Sequence, residues 1–165
     1  MNKPKHVRKP PRASSSHRRR RVLVVHGRDD LNLLLLKELL RDRLHLKLLL
    51  LDDEPALGRT IIEKFEQHAA LADFAIVLMT PDDLVEFQET RYRQARPNVY
   101  FELGWAYRYL GRSRVCIVVK KGTQMPSDLQ GINRLDFEKS VMEVAHQLQS
   151  ELEFAGIMKF VARAS

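Results

Sequence analysis

Short, nearly continuous apolar runs recur along this chain, and stretches with helical periodicity separate them. Val22-Leu23-Val24-Val25 is the first, residues 46–51 the second, 74–79 the third and 115–119 the fourth. A run of this length without polar and apolar alternation marks a strand covered on both faces. Between the runs, Asp29 or Asp30 can cap a helix that continues through Leu44. Residues 60–72 carry Ile61, Phe65, Ala69 and Ala72 at helical spacing. Asn98 is a good cap for a helix to Leu110, which Gly111 closes. A short fifth strand is expected over 132–137 and a last amphipathic helix over 141–154. Strands alternating with helices specify an α/β fold, a parallel sheet with right-handed crossovers. At this length the natural arrangement is flavodoxin-like, about five strands in the order 2-1-3-4-5 flanked by helices.

The chain has 165 residues and is 44% hydrophobic, enough for one core and little room for two domains. The reading divides it into a basic tail over 1–20, one domain over 21–156 and a short extension over 157–165. Nine of the 28 Lys and Arg residues lie in the first 21 positions, which hold no acid. The remaining 19 basic residues face 21 acidic ones, so the net charge of +7 belongs to the tail and not to a basic groove. That tail, with Pro4, Pro10, Pro11 and Ser14 to Ser16, has too little apolar surface to order itself. It lacks the apolar segment of a signal peptide. Contact with nucleic acid or an anionic membrane is one use for it, and a solubilising extension is the other. No apolar stretch approaches the roughly 20 residues of a membrane helix. Cys116 is the only cysteine; within a strand-like run it is expected to be a small buried apolar residue, in keeping with a reducing cytoplasm.

The topology says where chemistry belongs. Ligands of open parallel sheets bind beyond the carboxyl ends of the strands, where strand order reverses. His26-Gly27-Arg28-Asp29 leaves the first strand there, and Thr80-Pro81-Asp82-Asp83 leaves the third. The helix containing Glu102 enters from the same edge. We read this edge as a nucleotide site. Gly27 would let backbone approach a ligand, and Arg28 with the first helix start would hold a phosphate; an ordinary turn is the alternative. Thr80, Asp82 and Asp83 could equally cap a helix. Glu102 sits among apolar and aromatic neighbours in Asn98-Val99-Tyr100-Phe101-Glu102-Leu103-Gly104-Trp105-Ala106. It either points outward or is held at a dry cleft suited to sugar hydroxyls. Gly104 would permit close packing on the sheet. The loops over 82–97 and 120–131 are long for this fold. No His, Cys or Asp spacing suggests a metal, and neither Gly-x-Gly-x-x-Gly nor a P-loop is present.

Taken in order, these segments resemble the bacterial TIR-like nucleotide-binding domains that act as effectors in cyclic-nucleotide antiphage defence. The resemblance runs over most of 21–156. It is carried by Val22-Leu23-Val24-Val25-His26-Gly27-Arg28-Asp29, Gly58-Arg59-Thr60-Ile61-Ile62-Glu63-Lys64-Phe65-Glu66 and Val77-Leu78-Met79-Thr80-Pro81-Asp82-Asp83. It continues through Arg96-Pro97-Asn98-Val99-Tyr100-Phe101-Glu102-Leu103-Gly104, Arg114-Val115-Cys116 and Pro126-Ser127-Asp128-Leu129-Gln130-Gly131.

The resemblance implies a TIR fold and cleavage of NAD as a substrate, without a cofactor. It makes Glu102 the catalytic residue. It places His26, Gly27, Arg28, Asp29, Arg59, Thr80, Asp82, Asp83, Asn98 and Trp105 around the substrate. It also implies a homo-oligomer through TIR contacts, with residues 52–60 as the loop that reorganises on assembly, and an upstream sensor as partner. Relatives often carry a His-Glu pair and an Asn in that loop, where this chain has Asp52-Asp53 and Ala56. The expected boundaries leave no space for a fused sensor, so the trigger is expected from a partner, from assembly or from the tail. Two other readings stand beside this one. A nucleoside deoxyribosyltransferase-like enzyme would use the Glu-x-Gly-x-Ala pattern of Glu102-Leu103-Gly104-Trp105-Ala106 with the carboxylate as nucleophile. A non-catalytic nucleotide-binding or interaction module is the third.

Overall fold

A computed structural model of the chain describes residues 20–51, 60–129 and 131–159. Arg59, Gln130, the loop over 52–59, nearly all of the expected tail and residues 160–165 lie outside that description. In chain order the elements are β1 (Arg21–Val25), α1 (Asp30–Lys37), β2 (Lys47–Leu49), α2 (Ile61–Leu71), β3 (Phe74–Met79), β4 (Asp83–Phe87), β5 (Thr90–Gln94), α3 (Pro97–Leu110), β6 (Val115–Lys120), β7 (Arg134–Phe137) and α4 (Ala145–Phe154). Five strands pair in parallel in the order β2-β1-β3-β6-β7. Counted along the parallel sheet, this is the predicted 2-1-3-4-5 arrangement.

The unbroken apolar runs are explained by two cores. Along β1, Val22 and Val24 face one side, where Leu36 of α1 and Leu148 and Leu152 of α4 cover them. Leu23 and Val25 face the other side, against Phe65 and Ala69 of α2 and Val99, Leu103 and Ala106 of α3. All six residues of β3 are buried, since both its faces are covered. Burying each large aliphatic side chain contributes about 1.5–3 kcal/mol, so a polar residue at any of these sites would cost more than a surface substitution. Cys116 belongs to the first core, as expected, and burial pushes its thiol up to about 12.

Several elements differ from the sequence reading. The loop over 82–97 contains an antiparallel hairpin, β4 paired with β5, so Thr80, Asp82 and Asp83 cap no helix and Asp83 opens a strand. The first helix does not run unbroken to Leu44: α1 gives way at Glu38–Arg43 to a π-helical segment. Its four consecutive leucines span more than one face, so Leu34 stays exposed at 61% while Leu36 is fully buried. Residues 141–144 form a 3₁₀ turn before α4, capped by Ser140 and Glu143. The cap of α3 is Arg96, with Pro97 in the first turn, and Asn98 is already inside the helix. Proline suits that place because its missing N–H would be unbonded there anyway. Gly111 does close α3 as predicted, at φ 81° with its N–H donating to the Tyr107 carbonyl. Gly104 is exposed on α3 and packs on nothing nearby, contrary to the expected role. Among the described residues no helix is long and apolar enough to cross a membrane.

Candidate functional site

Parallel pairing puts the carboxyl ends of β1, β3 and β6 along one edge, so the loops leaving them meet. Asp82, after β3, straps this edge together. Its Oδ2 accepts the Arg28 N–H at 3.1 Å and its Oδ1 accepts the Thr80 hydroxyl at 2.9 Å. Thr80 is only 1% exposed, so it supports Asp82 from beneath. Gly27 is required by this strap. A Cβ there would lie 1.7 Å from Asp82 Oδ2. The space beside Gly27 is thus filled by the protein's own carboxylate, which revises the expectation that it is kept small for a ligand.

The start of α1 is filled in the same way. Asp29 caps it, accepting from the Asn32 backbone N–H at 3.0 Å and the Asn32 side chain at 2.9 Å. Lys120, at the end of β6, reaches the same carboxylate at 2.6 Å. Asn32 is buried and its carbonyl accepts the Val141 N–H at 2.8 Å, so this cluster ties α1 to the turn before α4. Burial by itself would raise the Asp29 carboxyl. Hydrogen bonds from Lys120 and Asn32, and the Lys120 charge, outweigh it and hold the carboxyl below its ordinary value. The stabilisation is therefore complete above the unfolded carboxylate pKa of about 3.9 and is lost as pH falls through the lower folded value. Asp29→Asn should accordingly lower stability at neutral pH and flatten the acid limb of a Tm-against-pH curve. A limb as steep as that of the wild type would exclude this role.

The open space lies beside the end of β1, on the face covered by α2 and α3. A cleft of about 360 Å³ is lined there by Val24, Val25, His26, Gly27, Leu51, Lys64, Arg96, Asn98, Val99 and Glu102. That volume is at the small end of the range for ligand sites. Glu102 is 9% exposed, so of the two orientations left open by the sequence, the structure has it in a cleft wall. His26 Nδ1 lies 2.9 Å from the Gly27 carbonyl. A carbonyl only accepts, so Nδ1 donates, and in the neutral ring Nε2 is an acceptor. Lys64, from α2, donates to the Leu51 carbonyl at 2.7 Å.

Of the sequence-predicted residues, His26, Gly27, Asn98 and Glu102 come together in this cleft. Arg28, Thr80 and Asp82 meet at the neighbouring strap and Asp29 at the α1 cap, all outside the cleft lining, while Asp83 opens β4 opposite Gln94. Trp105 lies further along α3, stacked on Tyr109 with ring centroids 5.4 Å apart. Arg59 falls outside the described residues. Lys64 and Arg96 line the cleft and were not predicted as site residues. A lysine next to an apolar helical stripe is normally a solvated flank, so nothing in its spacing marks it. A second cavity of about 400 Å³ opens at the amino ends of β6 and β7, lined by Tyr107, Arg112, Cys116, Arg134 and Glu151 among others. None of the predicted site residues among those described lines it.

Comparison with known proteins bears on this edge. The family model for the TIR domain of CAP12/Pycsar effector proteins matches residues 21–139. The uncharacterized protein YuaY of Escherichia coli (strain K12) is 38% identical over 141 residues, covering 84% of this chain and 46% of that protein. CD-NTase-associated protein 12 of Flavobacterium daejeonense is 32% identical over 103 residues, 62% of this chain and 33% of that one. The Pycsar effector protein PaPycTIR of Pseudomonas aeruginosa is 36% identical over 93 residues, 55% and 30% of the two chains. The chain thus spans less than half the length of these relatives. Among solved structures, the CMP N-glycosidase BcmB of Clostridium botulinum is similar with a TM-score of 0.53 at 11% identity, covering 79% of this chain and 99% of that one. That likeness is one of fold.

Proposed function

This chain belongs to the family of CAP12/Pycsar effector TIR domains, and from that premise we propose that it is an NAD glycohydrolase with Glu102 as its catalytic carboxylate. The observation that carries the reading is the place of Glu102: buried, in the wall of a cleft at the carboxyl end of β1, beside His26, Gly27 and Asn98. In the reaction the bond between nicotinamide nitrogen and ribose C1′ breaks, and its electron pair stays with nicotinamide. The nicotinamide of NAD is cationic, so it leaves as a neutral molecule without a general acid. The ribose passes through an oxocarbenium-like state, as in glycoside cleavage. A fixed carboxylate beneath it stabilises that charge and can grip the ribose hydroxyls. Water then adds to C1′ and gives up a proton, forming ADP-ribose.

These relatives are named as a CD-NTase-associated protein and a Pycsar effector protein. We extend this to the chain as an effector of antiphage defence whose activity is switched by self-assembly, with a signal supplied by a partner. Liquid chromatography of purified protein incubated with NAD tests the activity and the switch together. Nicotinamide and ADP-ribose are expected, and the rate per subunit should be low in dilute protein and rise with concentration or crowding. Cyclic ADP-ribose as the main product would change the attacking group from water to a hydroxyl of the nucleotide. A rate per subunit that is flat with concentration would exclude control by assembly. Base exchange on deoxynucleosides, or binding without turnover at any concentration, would replace this reading with the deoxyribosyltransferase or the non-catalytic one.

A further inference from the structure

The outward face of α3 is unlike that of an ordinary surface helix. Phe101, Gly104, Trp105, Arg108 and Tyr109 recur at i, i+3, i+4, i+7 and i+8, so they share one side of the helix. Phe101 is 48% and Tyr109 39% exposed, and Trp105 is half-buried between them. The three rings form a ladder. Phe101 and Trp105 have centroids 6.0 Å apart, and Trp105 and Tyr109 lie 5.4 Å apart and nearly parallel. Five of the chain's twelve aromatic residues belong to this helix. The solvent side of a helix is normally polar, and a contiguous aromatic patch there marks a binding surface.

Cations gather where this ladder ends. Residues 97–114 contain Glu102 as their one acid, and it is buried in the cleft wall. Arg108 and Arg112 are exposed on either side of Tyr109, and Arg112 stands 5.9 Å over the Tyr107 ring. Arg114 donates to the Asp73 carbonyl at 3.0 Å. The buried Asp73 carboxylate accepts the Arg21 N–H at 3.0 Å and lies 4.0 Å from Arg20. Arg20 and Arg21, at the start of β1, are thereby tied to the turn that closes α3. Glu151 of α4 lines the cavity beside Arg112 without pairing with it. Glu63 and Glu66 lie in the first half of α2, toward the other edge of the sheet. Residues 1–19 join the domain at Arg20 and hold seven Lys and Arg and no acid. The near-neutral charge outside the tail hides this one-sided cluster.

We propose that this face of α3, with the arginines at its end, binds single-stranded nucleic acid: the rings stack on bases and the arginines pair with phosphates. Every base has a π-face, so such a ladder accepts any sequence. A guanidinium can fork two phosphate oxygens. The charge of residues 1–19 is tethered to the same end and adds to the attraction. An anionic membrane would satisfy the charge, but a helix face that enters lipid carries aliphatic side chains, and this one has none. None of these residues lines the Glu102 cleft, so the proposal stands apart from the reaction assigned to that cleft.

Trp105 is the only tryptophan of the chain, so its emission reports on the ladder alone. The full chain is titrated with a fluorescein-labelled oligothymidylate of about 16 nucleotides, the upper site size for such surfaces. Anisotropy measures binding while Trp105 emission measures stacking. Binding should quench Trp105, and log affinity should fall against log salt with a slope of about −0.7 per phosphate contact. Tyr109→Ala should weaken binding about fivefold or more and leave that slope unchanged. Arg108→Gln together with Arg112→Gln should flatten the slope by about 1.4. All three side chains are exposed, so these variants keep the fold. Binding that leaves Trp105 unquenched, or that the α3 variants do not change, would belong to residues 1–19 alone and overturns the proposal. Equal affinity for the duplex with oligoadenylate, whose base faces are stacked away, also overturns it. If the oligonucleotide fails to quench Trp105, the proposal falls. Phosphatidylserine vesicles that quench it, or an association of copies lost in Tyr109→Ala, would then name the occupant instead.

Discussion

Glu102→Gln should lower the rate of nicotinamide release by about a thousandfold while leaving Tm within a few degrees. Glutamine keeps the size of the side chain and its ability to bond a ribose hydroxyl, so what is lost is the negative charge. A unit charge about 4 Å from the developing cation, at an effective dielectric constant near 20, is worth about 4 kcal/mol. Each 1.36 kcal/mol is a factor of ten in rate, so about three decades should disappear. Because the stabilised charge exists only in the transition state, the loss should fall on kcat more than on KM. Single-turnover chromatography of NAD cleavage measures it. Residual activity above about a tenth of wild type would show that Glu102 is not the catalytic carboxylate, and the reading of the cleft would fall with it.

The second large effect is on stability. Gly27→Ala places a methyl 1.7 Å from Asp82 Oδ2 and 2.9 Å from its Cγ, a separation atoms do not tolerate. Asp82 must swing away, and it then loses the Arg28 N–H and the Thr80 hydroxyl. Hydrogen bonds to a charged group are worth about 1.5–3 kcal/mol each. A destabilisation of about 2–4 kcal/mol follows, or roughly 5–15 °C in Tm for a chain of this size. Asp82→Ala alone loses the same bonds but frees the space. Gly27→Ala on top of Asp82→Ala should therefore cost much less than Gly27→Ala in the wild type. A double-mutant cycle by thermal denaturation reads this as a coupling of about 1–3 kcal/mol. Additive effects would mean that the strap is not what requires glycine.

The fold was legible in the residues because its signals are local and repeated. Val22 to Val25 and Phe74 to Met79 have no polar member, and runs of this kind rich in β-branched residues and bounded by polar segments suit a strand covered on both faces. The capping box of α2, Thr60 with Glu63, went unread, although its Thr-x-x-Glu spacing opens the stripe that covers the sheet. The hairpin of β4 and β5 was passed over because its residues are mostly polar. The alternation in Thr90-Arg91-Tyr92-Arg93 is the trace it leaves, since a small two-stranded ribbon half-open to water buries little. The π-helical segment after α1 left no comparable trace.

At the working edge, topology correctly gathered the loops after β1 and β3 and the start of α3, but it could not divide them. Asp29, Asp82 and Thr80 lie as near the ligand face as His26 in any drawing of strand order. Which of them faces open space depends on side-chain hydrogen bonds across 54 or 91 positions of sequence. The same holds for Lys64. Its neighbours in sequence describe an amphipathic helix, and only the packing of α2 against α3 turns it toward Glu102's cleft.

The sequence by itself thus determined the order of the parallel strands, the two faces of the core and the edge at which polar loops converge, because periodicity and chirality act through neighbours along the chain. Only the tertiary structure decided that the start of α1 is closed by its own carboxylates and that Glu102 is buried in a cleft shared with Lys64 and Arg96. The physical reason is that burial and electrostatic pairing depend on distance through space, and residues far apart in the chain set those distances only once the sheet and its helices have packed.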